Sequence, residues 1–124
     1  MKLLLDTHAL IWMAVEADRL SETAAAALAD PANDVFVSAV SGWEIALKRA
    51  RGLLRFPDLD RAMVAQLRLI ELPVSLRHTS EIAHLPDHHR DPFDRMLIAQ
   101  ARVDGMTIVS RDRAFTSYDV ALRW

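Results

Sequence analysis

Four acids stand where a chain could use them for chemistry. Asp6 closes the apolar run "KLLLD", and Asp112 follows "TIVS" (107–110) by two residues. Glu44 ends "SGWE" (41–44), and Asp94 lies in "DPFDRMLIAQA" (91–101). The first two sit at the ends of expected strands. The other two sit in the first turns of expected helices. Asp94 is three and four residues before Leu97 and Ile98, so it shares a register with the buried face of its own helix. Each acid also has a structural reading. Ser41 and Glu44 spell a capping box, and Glu44 is spaced to pair with Lys48. Asp91 and Asp94 suit a helix cap and a first-turn dipole partner. Asp6 suits an Asx turn, and Asp112 suits the cap of a short helix. If all four met at one edge of a sheet, they would repel unless something positive held them. A hard divalent cation such as Mg²⁺ or Mn²⁺ takes oxygen ligands of this kind.

The elements that would position them follow from pattern. "KLLLD" is a short continuous apolar run, as in a strand buried on both faces. Ser21 caps a helix to about Ala29, and "DPAND" (30–34) breaks the chain. "VFVSA" (35–39) is a second strand. Ser41 opens a helix ending near Gly52, and Asp58 caps another through Leu67. "LIELPV" (69–74) is a third strand, and Ser75 to His84 is a short helix. After the loop "PDHHRDP", Asp91 and Pro92 start a helix running to about Val103, with Gly105 behind it. "MTIVS" (106–110) is a fourth strand, "RDRAF" a turn or short helix, and "YDVAL" a weak fifth strand. Alternating strands and helices predict an α/β domain with a mostly parallel sheet. Such sheets place their sites at the carboxyl ends of strands, the end where the acids fall.

The 124 residues fit one domain, 1–124, and 52% apolar content supplies a sizeable core. No apolar run reaches the length of a membrane span, and "MKLLLD" meets an acid too early for a signal peptide. The absence of cysteine excludes disulfides and thiolate metal sites and fits a reducing, cytoplasmic setting. A net charge of −2 neither demands nor excludes nucleic acid. Lys2 and Lys48 are the only lysines; the other basic residues are arginines, suited to bidentate phosphate contacts. Of these, Arg95, Arg111 and Arg113 flank acids and could hold phosphate or neutralise their neighbours. Lys48, Arg49, Arg51 and Arg55 form a basic stretch, either a solvated helix face or the flank of an RNA groove. The histidines, His8 and the pair His88-His89 among them, match no zinc spacing and are left out of the metal shell. Trp12, Trp43, Phe36 and Phe93 fall on apolar periodic positions and are expected to pack.

Four segments in order, "LLLDTHALIWM", "VSAVSGWEIALK" (37–48), "DPFDRMLIAQA" and "TIVSRDRAF" (107–115), resemble the motifs of PIN-domain nucleases, and of the VapC toxins within them. The resemblance covers essentially the whole chain. It implies a three-layer α/β/α domain with a four- or five-stranded parallel sheet. It also implies a Mg²⁺-dependent endoribonuclease leaving 5′-phosphate and 3′-hydroxyl ends, a VapB-type antitoxin partner and a homodimer. By motif, the metal-site acids are Asp6, Glu44, Asp94 and Asp112. Thr7 and Ser110 neighbour the strand-end acids, and their hydroxyls could orient a carboxylate. Asp91 is assigned mainly to capping. Leu10, Trp12, Leu47 and Leu54 are expected to supply part of a partner surface. Two other readings were weighed. A phosphohydrolase with Asp6 as nucleophile usually carries D-x-D, and position 8 is histidine. A receiver-like or partner-binding module would need only one or two of the acids.

Overall fold

The computed structural model describes residues 1–124. Five strands form one sheet: β1 (Lys2–Leu5), β2 (Asp34–Ser38), β3 (Ile70–Leu72), β4 (Thr107–Val109) and β5 (Ala121–Arg123). All pair in parallel, in the order β3-β2-β1-β4-β5. Six α-helices connect them: α1 (Thr7–Val15), α2 (Glu22–Ala29), α3 (Ala39–Ala50), α4 (Arg61–Gln66), α5 (Leu76–Ile82) and α6 (Pro92–Asp104). Two 3₁₀ turns occupy Ala17–Arg19 and Arg113–Ser117.

β1 is the central strand, and its three leucines are fully buried. Leu3 and Leu5 face one core with Ala9, Leu10, Ala24 and Ile45. Leu4 faces the opposite core with Leu97, Ile98, Ile108 and Phe115. A strand covered on both faces has no polar side, which is why "LLL" shows no alternation. Each such leucine contributes about 1.5–3 kcal/mol of burial. The expected three-layer α/β fold is present, with five strands.

α6 follows its local signals. Asp91 Oδ1 accepts from the backbone N–H groups of Phe93 (2.8 Å) and Asp94 (3.1 Å), and Pro92 fills the first turn. Gln100 of α6 is fully buried; it accepts from the Ser38 hydroxyl at 2.6 Å and so fixes α6 against the end of β2.

Three local expectations change. The helix after β2 begins at Ala39, with Ser38 rather than Ser41 as its N-cap. Ser38 ends a strand with extended backbone, the geometry a cap needs, whereas Ser41 lies inside the helix and is fully buried. No Ser41–Glu44 capping box exists. Asp60, not Asp58, caps α4 through the Met63 N–H. Helix α1 follows Asp6 at once, in a stretch to which pattern assigned no element. Its sequence "THALIWMAV" is apolar nearly all round, so it carries no 3.6-residue signal.

Gly105 ends α6 at φ +66°, in the left-handed region. A methyl group there would meet no atom within 4 Å, so the cost of Gly105→Ala is backbone strain alone. Urea denaturation should show a loss of about 1–2 kcal/mol with unchanged m-value.

Candidate functional site

The strand order reverses at β1: the chain builds β2 and β3 on one side, then crosses to β4 and β5 on the other. The crevice outside the carboxyl ends of β1 and β4 is therefore the expected ligand position for a sheet of this kind. Asp6 stands there. It caps α1, with Oδ1 accepting from the Ala9 N–H at 2.7 Å. Its Oδ2 accepts from the Ser110 hydroxyl, which comes from the end of β4. Ser110 Oγ in turn accepts the Asp112 N–H at 2.9 Å. One serine thus ties the two strand-end acids together. Asp112 caps the following 3₁₀ turn through the Ala114 N–H and remains exposed.

Glu44 lies in the second turn of α3 and is buried. The Thr7 hydroxyl donates to its Oε1 at 2.7 Å, and Ser41 Oγ lies 3.1 Å from the same hydroxyl. Its Oε2 accepts from Lys48 Nζ at 2.6 Å. Thr7 therefore orients Glu44, and Ser110 orients Asp6. Glu44 is the one acid of the four paired with a lysine or arginine. The Lys48 side chain is 40% exposed and free to swing away.

Asp94 is half-buried, and Nε2 of His89 stands 2.9 Å from its Oδ2. His89, Asp91 and Asp94 bring their ligating atoms within 4.8 Å of one another, a group able to hold a metal ion. Pattern left His89 out because it lies in a loop, five residues before Asp94 and off any helical spacing. The loop is pinned: the His89 N–H donates to the Tyr118 hydroxyl at 2.8 Å. Arg95 Nη1 donates to Pro86 O at 2.9 Å and also reaches the Tyr118 hydroxyl. Arg95 is thus engaged in holding this loop, rather than poised for phosphate. Arg111 and Arg113 are exposed beside Asp112.

The electrostatics show what the cluster lacks. Asp6 has its pKa raised, chiefly by burial and further by the charge on Asp112, against the lowering effect of its Ser110 and Ala9 bonds. Asp94 is raised to about 6, chiefly by burial; the His89 bond opposes this, while the charges of Asp91 and Asp6 add to it. Asp6 thus feels the charge of Asp112, and Asp94 feels that of Asp6. No lysine or arginine pairs with any of these three.

The aromatic expectations divide. Phe36 packs against the core, while Trp43 is 58% exposed and meets Phe93 edge-to-face at 4.7 Å. Leu10, expected at a partner surface, is fully buried in the core under α1. Leu47 and Leu54 are half-buried, and the most exposed large apolar side chains are instead Trp43, Leu53 and Leu76.

A family model for the PIN domain matches residues 3–121. The chain belongs to the PIN-domain family. Ribonuclease VapC22 of Mycobacterium tuberculosis is 30% identical over 119 residues, spanning 93% of this chain and 90% of that protein. The fold is also that of a solved structure of VapBC2 from Rickettsia felis bound to a promoter DNA fragment. That match has a TM-score of 0.73 at 12% identity, covering 98% of this chain and 97% of the other. VapBC-5 of Mycobacterium tuberculosis, a member of the VapBC family of toxin–antitoxin systems, matches with a TM-score of 0.57 at 18% identity, covering 94% and 89%.

The donor set of this PIN domain fits a hard divalent cation. It offers carboxylate oxygens from separate elements, two of them on groups whose pKa is lifted chiefly by burial and further by neighbouring carboxylates, with no lysine or arginine paired to those two. The imidazole of His89 beside Asp94 also suits a borderline ion such as Mn²⁺.

Because the folded pKa of Asp94 lies above its ordinary 3.8, the folded state resists its ionisation. This group favours folding fully below 3.8, and that contribution is lost as pH rises to about 6. In metal-free buffer, Asp94→Asn should therefore equal or exceed wild type in stability at pH 7. The gain is on the order of 1–3 kcal/mol at most, shrinking toward pH 4. Urea melts across this range check it; a variant less stable than wild type at pH 7 assigns Asp94 a plain capping role instead.

Proposed function

We propose that residues 1–124 form one nuclease domain, a metal-dependent endoribonuclease that acts as the toxin of a toxin–antitoxin pair. The observation that carries this is the gathering of Asp6, Asp94 and Asp112 near the switch point of the sheet with no lysine or arginine paired to them. The name of the ribonuclease relative and the toxin–antitoxin assemblies among the structural neighbours support the same reading.

Asp6, Asp94, Asp112 and Glu44 would hold the ion, Mg²⁺ or Mn²⁺, with Asp91 and His89 at its edge. A bound divalent cation supplies Lewis acidity toward a phosphodiester and lowers the pKa of water in the site. The chain's own residues do the rest. Ser110 and the Ala9 N–H hold both oxygens of Asp6 in place. Thr7 holds one oxygen of Glu44 and leaves the other to Lys48, a contact the lysine can exchange for substrate phosphate. A carboxylate of the cluster takes the proton of the attacking water. Arg111 and Arg113 lie beside Asp112, where substrate phosphate enters.

The partner is a VapB-type antitoxin. Trp43 and Leu53, on α3 and just beyond it, and Leu76 at the start of α5 are the most exposed apolar side chains that it and a homodimer contact could cover. No helix is long and apolar enough to cross a membrane, in keeping with a cytoplasmic site of action.

Purified protein free of antitoxin should cleave RNA in millimolar Mg²⁺ and not in EDTA. Alanine at Asp6, Glu44, Asp94 or Asp112 should abolish cleavage. Ser110→Ala should reduce it roughly 10–100-fold, as loss of an orienting partner does. Mg²⁺ should raise the melting temperature of wild type but not of Asp94→Asn, because the gain is binding to the native state. A folded wild type that cleaves no RNA with either metal, and melts unchanged in Mg²⁺, supports a non-catalytic partner-binding module instead.

A further inference from the structure

Beside the acidic cluster lies a second feature that metal binding does not use. An open cleft of about 500 Å³ is lined by Asp6, Asp112 and His8 together with Trp12, Arg19, Arg111 and Arg113. A volume of this order suits a small polar ligand; binding clefts run roughly 300–1,000 Å³. Trp12 projects from α1, half-buried, and is backed by Trp124 at 5.7 Å between ring centroids. The guanidinium of Arg19 lies 4.9 Å from the centre of its ring, and that of Arg111 lies 5.8 Å from it. Arg19 arrives from the 3₁₀ turn after α1, and Arg111 from the end of β4.

Apart from the contacts of Arg19 and Arg111 with the Trp12 ring, these arginines are little neutralised within the protein. Arg111 and Arg113 make no ion pair, although each is adjacent in sequence to Asp112. Arg19 has only a surface contact with Glu16 at 3.5 Å, with both side chains about half exposed. Such a pair stabilises a fold by about 0–1 kcal/mol. If the arginines served to neutralise the buried acids, contacts within 4 Å would be expected, and none is formed. What remains is three guanidiniums beside a flat indole wall, open to solvent, one step from the acids.

We propose that this cleft is the subsite for the nucleotide adjoining the scissile bond of single-stranded RNA, with Arg19, Arg111 and Arg113 holding its phosphates and the Trp12–arginine stack holding its base. This rests on the nuclease reading and deepens it. Single strands are gripped by alternating cationic groups and flat π-surfaces, because phosphates and bases alternate along them. An acidic peptide would use the arginines and leave the indole wall without a function. Arg19 is a binding residue here, far in sequence from every acid of the cluster, and no motif points to it.

The test separates binding from cleavage. Binding of a fluorescent single-stranded RNA is measured in EDTA over a range of salt, and cleavage is measured separately in Mg²⁺. Arg19 is exposed, so Arg19→Ala and Arg19→Lys should melt as wild type does. Each phosphate contact to a single strand adds about 0.7 to the slope of log K against log salt. Arg19→Ala should therefore lower that slope by about 0.7, and Arg113→Ala by the same amount, whereas Arg19→Lys should restore it. In Mg²⁺, Arg19→Ala should raise KM with kcat little changed. Trp12→Leu, if it folds, should weaken binding and leave the slope intact; if it does not fold, quenching by RNA of the indole fluorescence of a Trp43→Phe, Trp124→Phe double variant, in which Trp12 is the one tryptophan left, reports the same contact when it is lost on adding salt. Wild type that cleaves RNA while the arginine variants keep its slope and KM overturns the subsite and leaves the nuclease reading standing. Arginine-dependent binding without cleavage under any metal supports the subsite and removes the nuclease reading. RNA that fails to bind where a glutamate-rich peptide binds through the same arginines overturns the proposal in favour of a protein ligand.

Discussion

Negative charge gathered in a partly dry crevice is the constraint around which this molecule is built. Asp6 is buried and Asp94 half-buried; the charge of Asp112 adds to the cost of ionising Asp6, and the charges of Asp91 and Asp6 add to that of Asp94. No lysine or arginine pairs with Asp6 or Asp94; among basic side chains only histidines, His8 for Asp6 and His89 at 2.9 Å from Asp94, ease their ionisation. What holds them are neutral donors: the Ala9 N–H and the Ser110 hydroxyl for Asp6, and the Phe93 and Asp94 N–H groups for neighbouring Asp91. Neutral donors fix geometry without cancelling charge, which leaves the site attractive to a cation. The free energy that offsets this comes from the core beneath, where β1 is covered on both faces and Leu3, Leu4 and Leu5 are wholly removed from water.

The scaffold transmits precision to the acids through a few polar ties. Asp6 and Asp112 share Ser110, so the spacing of β1 and β4 sets the spacing of their carboxylates. Asp94 depends on the seating of α6, and Gln100 fixes α6 by accepting from Ser38 and donating to Pro73 O. The same Ser38 caps α3 and so places Glu44. Two of the elements that carry acids are thereby referenced to a single buried hydroxyl at the end of β2. Buried polar groups of this kind are satisfied here without exception.

Around the cluster, the chemistry differs from side to side. Lys48 closes the α3 side and already neutralises Glu44. The His89 loop closes the α6 side, held by Tyr118 and Arg95. Only the α1 and β4 side is left with arginines that pair with no acid of the site, and there the crevice opens to solvent. An anionic strand approaching the acids meets favourable charge from that direction.

The amino-acid sequence by itself determined the elements whose signals are short-range. Asp91-Pro92 and Gly105 delimit α6, Ser75 caps α5, and the apolar run at 3–5 marks a central strand, because caps and burial of a run act within a few residues. The ordered acids at strand ends and helix starts also made the candidate cluster legible. Other features came only from tertiary structure. α1 is apolar nearly all round, and which of its side chains are buried, Ala9 and Leu10 in the core and Trp12 against Trp124, is decided by its packing, so its sequence shows no face. Whether Ser38 or Ser41 caps α3 depends on where pairing with β1 and β3 lets β2 end. The roles of His89 and Arg19, the burial of Leu10 and the exposure of Trp43 follow from which neighbours the packed helices bring near. Asp6 and Ser110 are 104 residues apart along the chain, and their hydrogen bond exists only because β1 and β4 lie side by side. Local sequence sets the conformation of each segment, but a site is made of through-space contacts, and those are decided by how the segments pack.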